Sequence, residues 1–269
     1  MDINPRAEQL QSERRLTAVY FICAALSLIS LITTLVVFGY WRDTLNACWG
    51  QEELGYRNCS CLLYASSTYR LYIGGEAPIC SFVKFSNVPG LVLGLCLGAI
   101  HWYRISFTLQ RIPKIRQRRP IVQLQQQQQT EGRVAVVTRQ SKCCTAWWLT
   151  ESITLLFESI MALVAAVLLT DGAMKACDQY RQNIIETIHA DGNMAALIND
   201  RLFCNAIFDF MDYLQPIKYR SSTNFINTGA ALYVAMFSMW FAAIGWVFTC
   251  VTCAYEAFRY RKCCGAART

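Results

Sequence analysis

The chain has 269 residues, of which 54% are apolar and 16% charged, and its mean hydropathy is +0.26. That composition is too oily for an ordinary soluble domain and excludes disordered, collagenous and nucleic-acid-coating proteins. The net charge of +7 comes from 25 Lys and Arg against 18 Asp and Glu, and its placement along the chain sets the expected topology.

Four apolar windows satisfy the length needed to cross a bilayer, about 20 helical residues: Leu16–Trp41, Pro89–Gln110, Trp147–Thr170 and Thr228–Tyr255. The expected fold is an all-α membrane protein, a four-transmembrane-helix bundle. Its first window reads as an uncleaved anchor, because it is long, lacks a small-residue cleavage site and follows a mixed-charge leader, residues 1–15, with Arg14 and Arg15. Loop 111–146 carries Arg111, Lys114, Arg116, Arg118, Arg119, Arg133, Arg139 and Lys142 against Glu131 alone, and tail 256–269 carries Arg259, Arg261, Lys262 and Arg268 against Glu256. Lys and Arg near spans stay in the cytoplasm, so this loop and both termini are expected inside. Segments 42–88 and 171–227 have no basic surplus and become the two outside loops.

Of fourteen cysteines, six fall in these outside loops: Cys48, Cys59, Cys61 and Cys80 in the first, Cys177 and Cys204 in the second. An oxidising compartment favours disulfides among them. The first loop has β-branched or aromatic runs at Cys61–Tyr64 and Thr68–Ile73 ended by Gly74-Gly75, which predicts two short strands in a hairpin. Its four cysteines allow three pairings, and the sequence does not choose among them. Asn58-Cys59-Ser60 matches the N-glycosylation sequon, although a bridged Cys59 would hinder access. In the second loop, apolar residues at helical spacing over Lys175–Ala190 and Asn193–Leu214, separated by Asp191-Gly192, predict a helical hairpin. Folding it antiparallel brings Cys177 level with Cys204, so these two are expected to bond.

Within the membrane, helices associate where small residues let backbones approach. The second span offers Gly90, Gly94 and Gly98 at intervals of four; the fourth offers Ala231, Ala235, Ser238, Ala242, Gly245 and Thr249 at alternating intervals of four and three. Both seams read first as contacts inside one bundle and second as surfaces for another tetraspan chain. Ionisable residues at that depth call for partners. His101 and Arg104 share a face of the second span, and Glu151 and Glu158 share a face of the third. Counted from the cytoplasmic ends, Arg104 matches Glu151 and His101 matches Glu158, which predicts two rungs fixing the register. The functional alternative is a proton or ion relay.

The run Gln125–Gln129 in a basic, Pro-punctuated loop reads as a flexible tether near the anionic inner leaflet. Cys143-Cys144 and Cys263-Cys264 lie beside basic residues at cytoplasmic span ends, a placement that suits S-palmitoylation better than zinc. The chain has no Walker loop, HExxH or GxSxG motif and two histidines, His101 and His189, so neither catalysis nor a metal or organic cofactor is expected. No paired Gly/Pro interruption points to a secondary transporter.

Four spans, cytoplasmic termini and a cysteine-bearing first outside loop are similar to the claudin-like tetraspans, but the GLW motif of claudins is missing. Cys59-Ser-Cys-Leu-Leu-Tyr64, Cys80-Ser-Phe82, His101-Trp-Tyr-Arg104 and Phe237-Ser-Met-Trp-Phe241 resemble the insect tetraspan family that includes Pasiflora and Fire exit, over most of the chain, and the vertebrate transmembrane protein 179 family over the same blocks. The resemblance implies a non-enzymatic membrane protein of septate junctions, at the lateral plasma membrane of epithelia and barrier-forming glia. Its implied partners are the lipid bilayer, other junctional membrane proteins and further copies of itself, with no nucleic acid. The competing expectations are an auxiliary subunit of an ion channel or transporter and a membrane-trafficking tetraspan.

Overall fold

The computed structural model describes residues 5–44, 61–67, 72–109, 130–205, 207 and 226–266. In chain order these form α1 (Pro5–Thr44), β1 (Cys61–Ser67), β2 (Tyr72–Gly75), α2 (Ala77–Phe85), α3 (Asn87–Tyr103), a π-helical turn (Arg104–Leu109), α4 (Thr130–Thr187), α5 (Asn193–Arg201) and α6 (Thr228–Ala266). Four stretches among them are long and apolar enough to cross a membrane: Leu10–Trp41, Ala77–Phe107, Ala146–Thr187 and Thr228–Arg259. Each contains one of the windows read from sequence apart from a few end residues. The second begins twelve residues before Pro89, because α2 precedes α3 with only Ser86 between them. Pro89 offers no N–H to the carbonyl of Phe85, and Asn87 Nδ2 and Ser86 Oγ instead donate to Val83 O at 3.2 and 2.9 Å.

On two of the long helices, α1 and α6, part of the buried face is small and hydroxylic while bulky apolar side chains are left exposed. On α1 the buried stripe is small and hydroxylic (Cys23, Ala24, Ser27, Ser30, Thr34), while Phe21, Ile22, Ile29, Ile32 and Val36 are exposed. On α6, Ala235, Ser238, Ala242, Thr249 and Cys253 are buried, and Phe237, Phe241, Ile244, Phe248 and Val251 are exposed. Several hydroxyls on these faces bond within their own helix, as Thr34 does to Ser30 O (2.7 Å) and Ser238 to Val234 O (2.7 Å), whereas Ser30 Oγ is buried without a hydrogen-bond partner among the described residues. Water would drive the bulky side chains inward; a hydrocarbon solvent does not.

Two compact units divide the residues. One comprises Met1–Ala24, Gly90–Ile160 and Ala242–Thr269; the other comprises Ala25–Pro89 and Met161–Phe241. The second unit holds a core of Val37, Phe38, Trp41, Leu62, Leu63, Val83, Leu169 and Leu232. It also holds both disulfides among the described residues, Cys61–Cys80 and Cys177–Cys204. β1 and β2 pair antiparallel, Ser66 opposite Ile73 and Cys61 opposite Gly75, with an irregularity between these pairs. Tyr64 lies in that irregularity with φ of 58°, a conformation costly for a bulky residue. Its side chain is held from several directions: the phenol donates to Asp171 Oδ2 at 2.7 Å, Lys175 pairs with the same oxygen at 2.9 Å, and the Lys175 ammonium lies 5.2 Å from the ring centre. The neighbouring carboxylate raises the Tyr64 pKa above its ordinary value.

The second-loop hairpin is present, and its first arm is the continuation of α4 through Thr187. The chain reverses at His189 and Gly192, with φ of 49° and 53°. Arg181 Nε donates to Leu202 O at 2.8 Å, capping the end of α5. α5 itself ends at Arg201, earlier than the Leu214 expected from apolar spacing; residues 208–214 lie outside the described residues. Cys48, Cys59, Asn58, Gln125–Gln129 and the strand residues 68–71 also lie outside them, as do the side chains of Cys143, Cys144, Cys263 and Cys264.

At Gly172 a Cβ would come within 2.8 Å of Leu63 Cβ and 3.0 Å of the Tyr64 ring. Gly172→Leu should therefore overpack the seat of β1 and destabilise the protein by about 1–3 kcal/mol, read as a lowered Tm in detergent. An unchanged melt would mean that β1 does not rest on this turn of α4.

Candidate functional site

Ionisable residues from three helices and the π-helical turn converge in the first unit. α1 supplies Glu13 and Tyr20, α3 supplies His101, the π-helical turn opens with Arg104, and α4 supplies Glu151. Glu13, Tyr20 and His101 are fully buried and Glu151 is 5% exposed. His101 Nε2 lies 2.8 Å from Glu151 Oε1, and its Nδ1 lies 3.3 Å from Glu13 Oε2. The Tyr20 hydroxyl donates to Glu151 Oε1 at 2.7 Å and lies 3.4 Å from Cys253 Sγ on α6. Arg104 Nη2 approaches Glu13 Oε1 to 2.8 Å. That contact is an ion pair without an aligned hydrogen bond, since the oxygen accepts none.

Aromatic rings enclose the imidazole. Tyr20 stacks on His101 with centroids 5.5 Å apart, Trp148 meets it at 5.6 Å, and Trp246 lies 6.2 Å from Tyr20. The Arg104 guanidinium lies 5.6 Å from the centre of the Trp148 ring system, a favourable cation–π geometry. Nearby, Ser12 Oγ donates to Glu256 Oε1 at 3.0 Å and ties α1 to α6.

These contacts correct the two expected rungs. Arg104 pairs with Glu13 rather than Glu151, and His101 pairs with Glu151 and Glu13 rather than Glu158. Glu158 is 2% exposed, with no ion pair or hydrogen bond among the described residues. Counting depth on two helices alone misplaced the pairs, because a third helix brings its own carboxylate between them. Glu13 and Tyr20 were missed, since the first apolar window starts at Leu16 and leaves Glu13 in the leader. A signal for both exists: Glu13, Leu16, Tyr20, Cys23, Ser27, Ser30 and Thr34 follow one another by three or four, the spacing of one helix face.

Small residues put the helices of this unit close enough for such contacts. A Cβ at Gly94 would lie 2.9 Å from both Ala24 Cβ and Tyr20 O, and one at Gly98 would lie 3.2 Å from the Phe21 ring. A Cβ at Gly245 would collide with Cys23 Sγ. The Gly94–Gly98 face and Gly245 thus both seat on α1. Ala242 and Thr249 are buried. Gly90, in this same unit, is buried; in the other unit Ala235 and Ser238 are buried and Ala231 packs half-buried on the core.

Chemically, two carboxylates, one guanidinium and one imidazole make a set whose charges cancel when both ring nitrogens of His101 carry protons. With a single ring proton, a nitrogen lone pair faces a carboxylate. Glu151 Oε2 is buried and accepts no hydrogen bond, so this oxygen is the under-satisfied corner of the cluster. No group of three or more metal-ligating side chains with the geometry to hold an ion occurs among the described residues. Against protein-family models, curated proteins and solved structures, the chain finds no match.

Breaking the cluster should cost far more than removing the isolated acid. Glu151→Leu leaves His101 and Tyr20 without their acceptor and should destabilise by about 3–5 kcal/mol. Tyr20→Phe should cost about 1 kcal/mol, and Glu158→Met should leave stability unchanged or raise it. Thermal unfolding in detergent ranks the three; a Glu158→Met protein melting below Tyr20→Phe would contradict the assignment.

Proposed function

We propose that this chain is a non-enzymatic, multi-pass plasma-membrane protein that serves as a structural component of septate junctions and of the paracellular barrier in epithelia and glia. The membrane part rests on four long apolar helices and on the many bulky apolar side chains they leave exposed, such as Ile22, Ile32, Phe157, Phe237, Phe241 and Val251. The orientation rests on charge and sulfur. The basic loop and tail carry the surplus of Lys and Arg, whereas Cys61–Cys80 and Cys177–Cys204 close within the two segments that have none, as expected if the former face a reducing cytosol and the latter an oxidising exterior.

The observation that carries the junction role is the pair of stapled elements, a β-hairpin bonded to α2 and a helical hairpin bonded across its own turn. Covalent closure holds small elements in one fixed shape for neighbours to recognise. The resemblance of several residue blocks to the insect septate-junction tetraspans supports the same reading. A second reading, an auxiliary subunit of an ion channel or transporter, is favoured by one feature, His101 held between two buried carboxylates.

On intact cells, after mild reduction, an impermeant maleimide should modify Cys177 and Cys204 and spare Cys143. The tagged protein should stain lateral membranes at cell contacts, and its depletion should admit a dye normally excluded. Modification of Cys143 alone overturns the orientation. Vesicular staining with an intact barrier overturns the junction role, and a changed channel current without dye entry selects the second reading.

A further inference from the structure

Within the second unit, a groove of about 260 Å³ lies between α1 and α2, lined by Leu35, Phe38, Gly39, Ala77, Cys80, Ser81 and Lys84. Leu35, Phe38 and Gly39 share one face of α1, and Cys80 and Lys84 stand one turn apart on α2. At Gly39 a Cβ would meet nothing within 4 Å, so the α1 wall is open there. Lys84 is the one cationic side chain of the lining. Its ammonium lies 4.5 Å from the Phe85 ring centre, and no carboxylate pairs with it among the described residues. Cys80 is bonded to Cys61, which puts Lys84 within one helical turn of the stapled end.

Resting on the membrane orientation proposed above, we infer that this groove holds one outer-leaflet phospholipid, with its phosphate on the Lys84 ammonium and an acyl chain along Leu35, Phe38 and Gly39. A lysine acts on a phosphate as a compact point charge on a flexible stem. Charge complementarity selects the headgroup, since an ammonium with no carboxylate partner among the described residues, at the outer boundary of the hydrocarbon, meets phosphate before any other anion. The α1 side of the groove, with Leu35, Phe38 and the open position at Gly39, selects the chain, and Ser81 adds a hydroxyl to the lining that holds the cation.

The test uses the full-length protein purified in mild detergent and native mass spectrometry with added phosphatidylglycerol or diacylglycerol. One phosphatidylglycerol should be retained per chain, and diacylglycerol should not. Lys84→Met removes the charge, and Gly39→Leu fills the groove without a clash. Each should lower retention about tenfold, while Lys84→Arg keeps it. Resistance of Cys61 and Cys80 to alkylation without reductant reports that each variant is folded. Equal retention by wild type and both variants overturns the site. Retention of diacylglycerol also overturns it, as does loss in Lys84→Met without loss in Gly39→Leu. A chain that alkaline carbonate strips from membranes fails the membrane reading, whereas one that stays and holds no lipid at Lys84 fails this inference alone.

Discussion

Close backbone approach along α1 is the constraint on which the first unit depends. Gly94 sits against the carbonyl of Tyr20 and the methyl of Ala24, and Gly245 against the sulfur of Cys23. Where the surroundings are as apolar as the side chains, leucines gain nothing by meeting one another, and association falls to dispersion and hydrogen bonding at short range. Glycine, alanine, serine and threonine make that range accessible. The same constraint explains why the exposed faces carry Phe, Ile and Val and why Thr34, Ser238 and Thr249 can turn inward with their hydroxyls bonded back to their own helix.

The buried cluster adds selectivity to that adhesion. An ion network removed from water contributes little net stability, because desolvation offsets most of the Coulombic gain, but a mismatched register leaves charges unpaired at high cost. Glu151 Oε1 serves both Tyr20 and His101, and Glu13 serves both His101 and Arg104. Sliding any one of the helices by a turn would strand at least one of these groups. The π-helical turn beginning at Arg104 widens the helix directly after His101, the kind of local irregularity that lets neighbouring side chains on one helix serve different partners.

Much of this architecture is written in elementary patterns. The length of the apolar windows gives the four long helices, and the Asp191-Gly192 turn signal marks the reversal between α4 and α5. Similar distances from that turn, fourteen residues before Asp191 and twelve after Gly192, bring Cys177 and Cys204 level, and the bond between them forms. What is not legible depends on more than two elements at once. α2 is a short amphipathic helix hidden by the Pro89 signal that seemed to begin the span. The pairing of Cys61 with Cys80 was one of several open choices, selected by where β1 settles against Gly172 and α2. The ionic pairs were misassigned because Glu13 enters from a helix whose polar start resembles a solvated leader.

Both disulfides among the described residues are local in sequence, with separations of 19 and 27 residues. In the proposed topology each bridge closes within a single extruded segment, so neither sulfur of one loop waits for a partner in the other. The first staple can be set while the third and fourth helices are still being synthesised. The extracellular pieces thereby acquire their contours independently of the slower sorting of helices inside the bilayer, and a fault in one process need not scramble the thiols of the other.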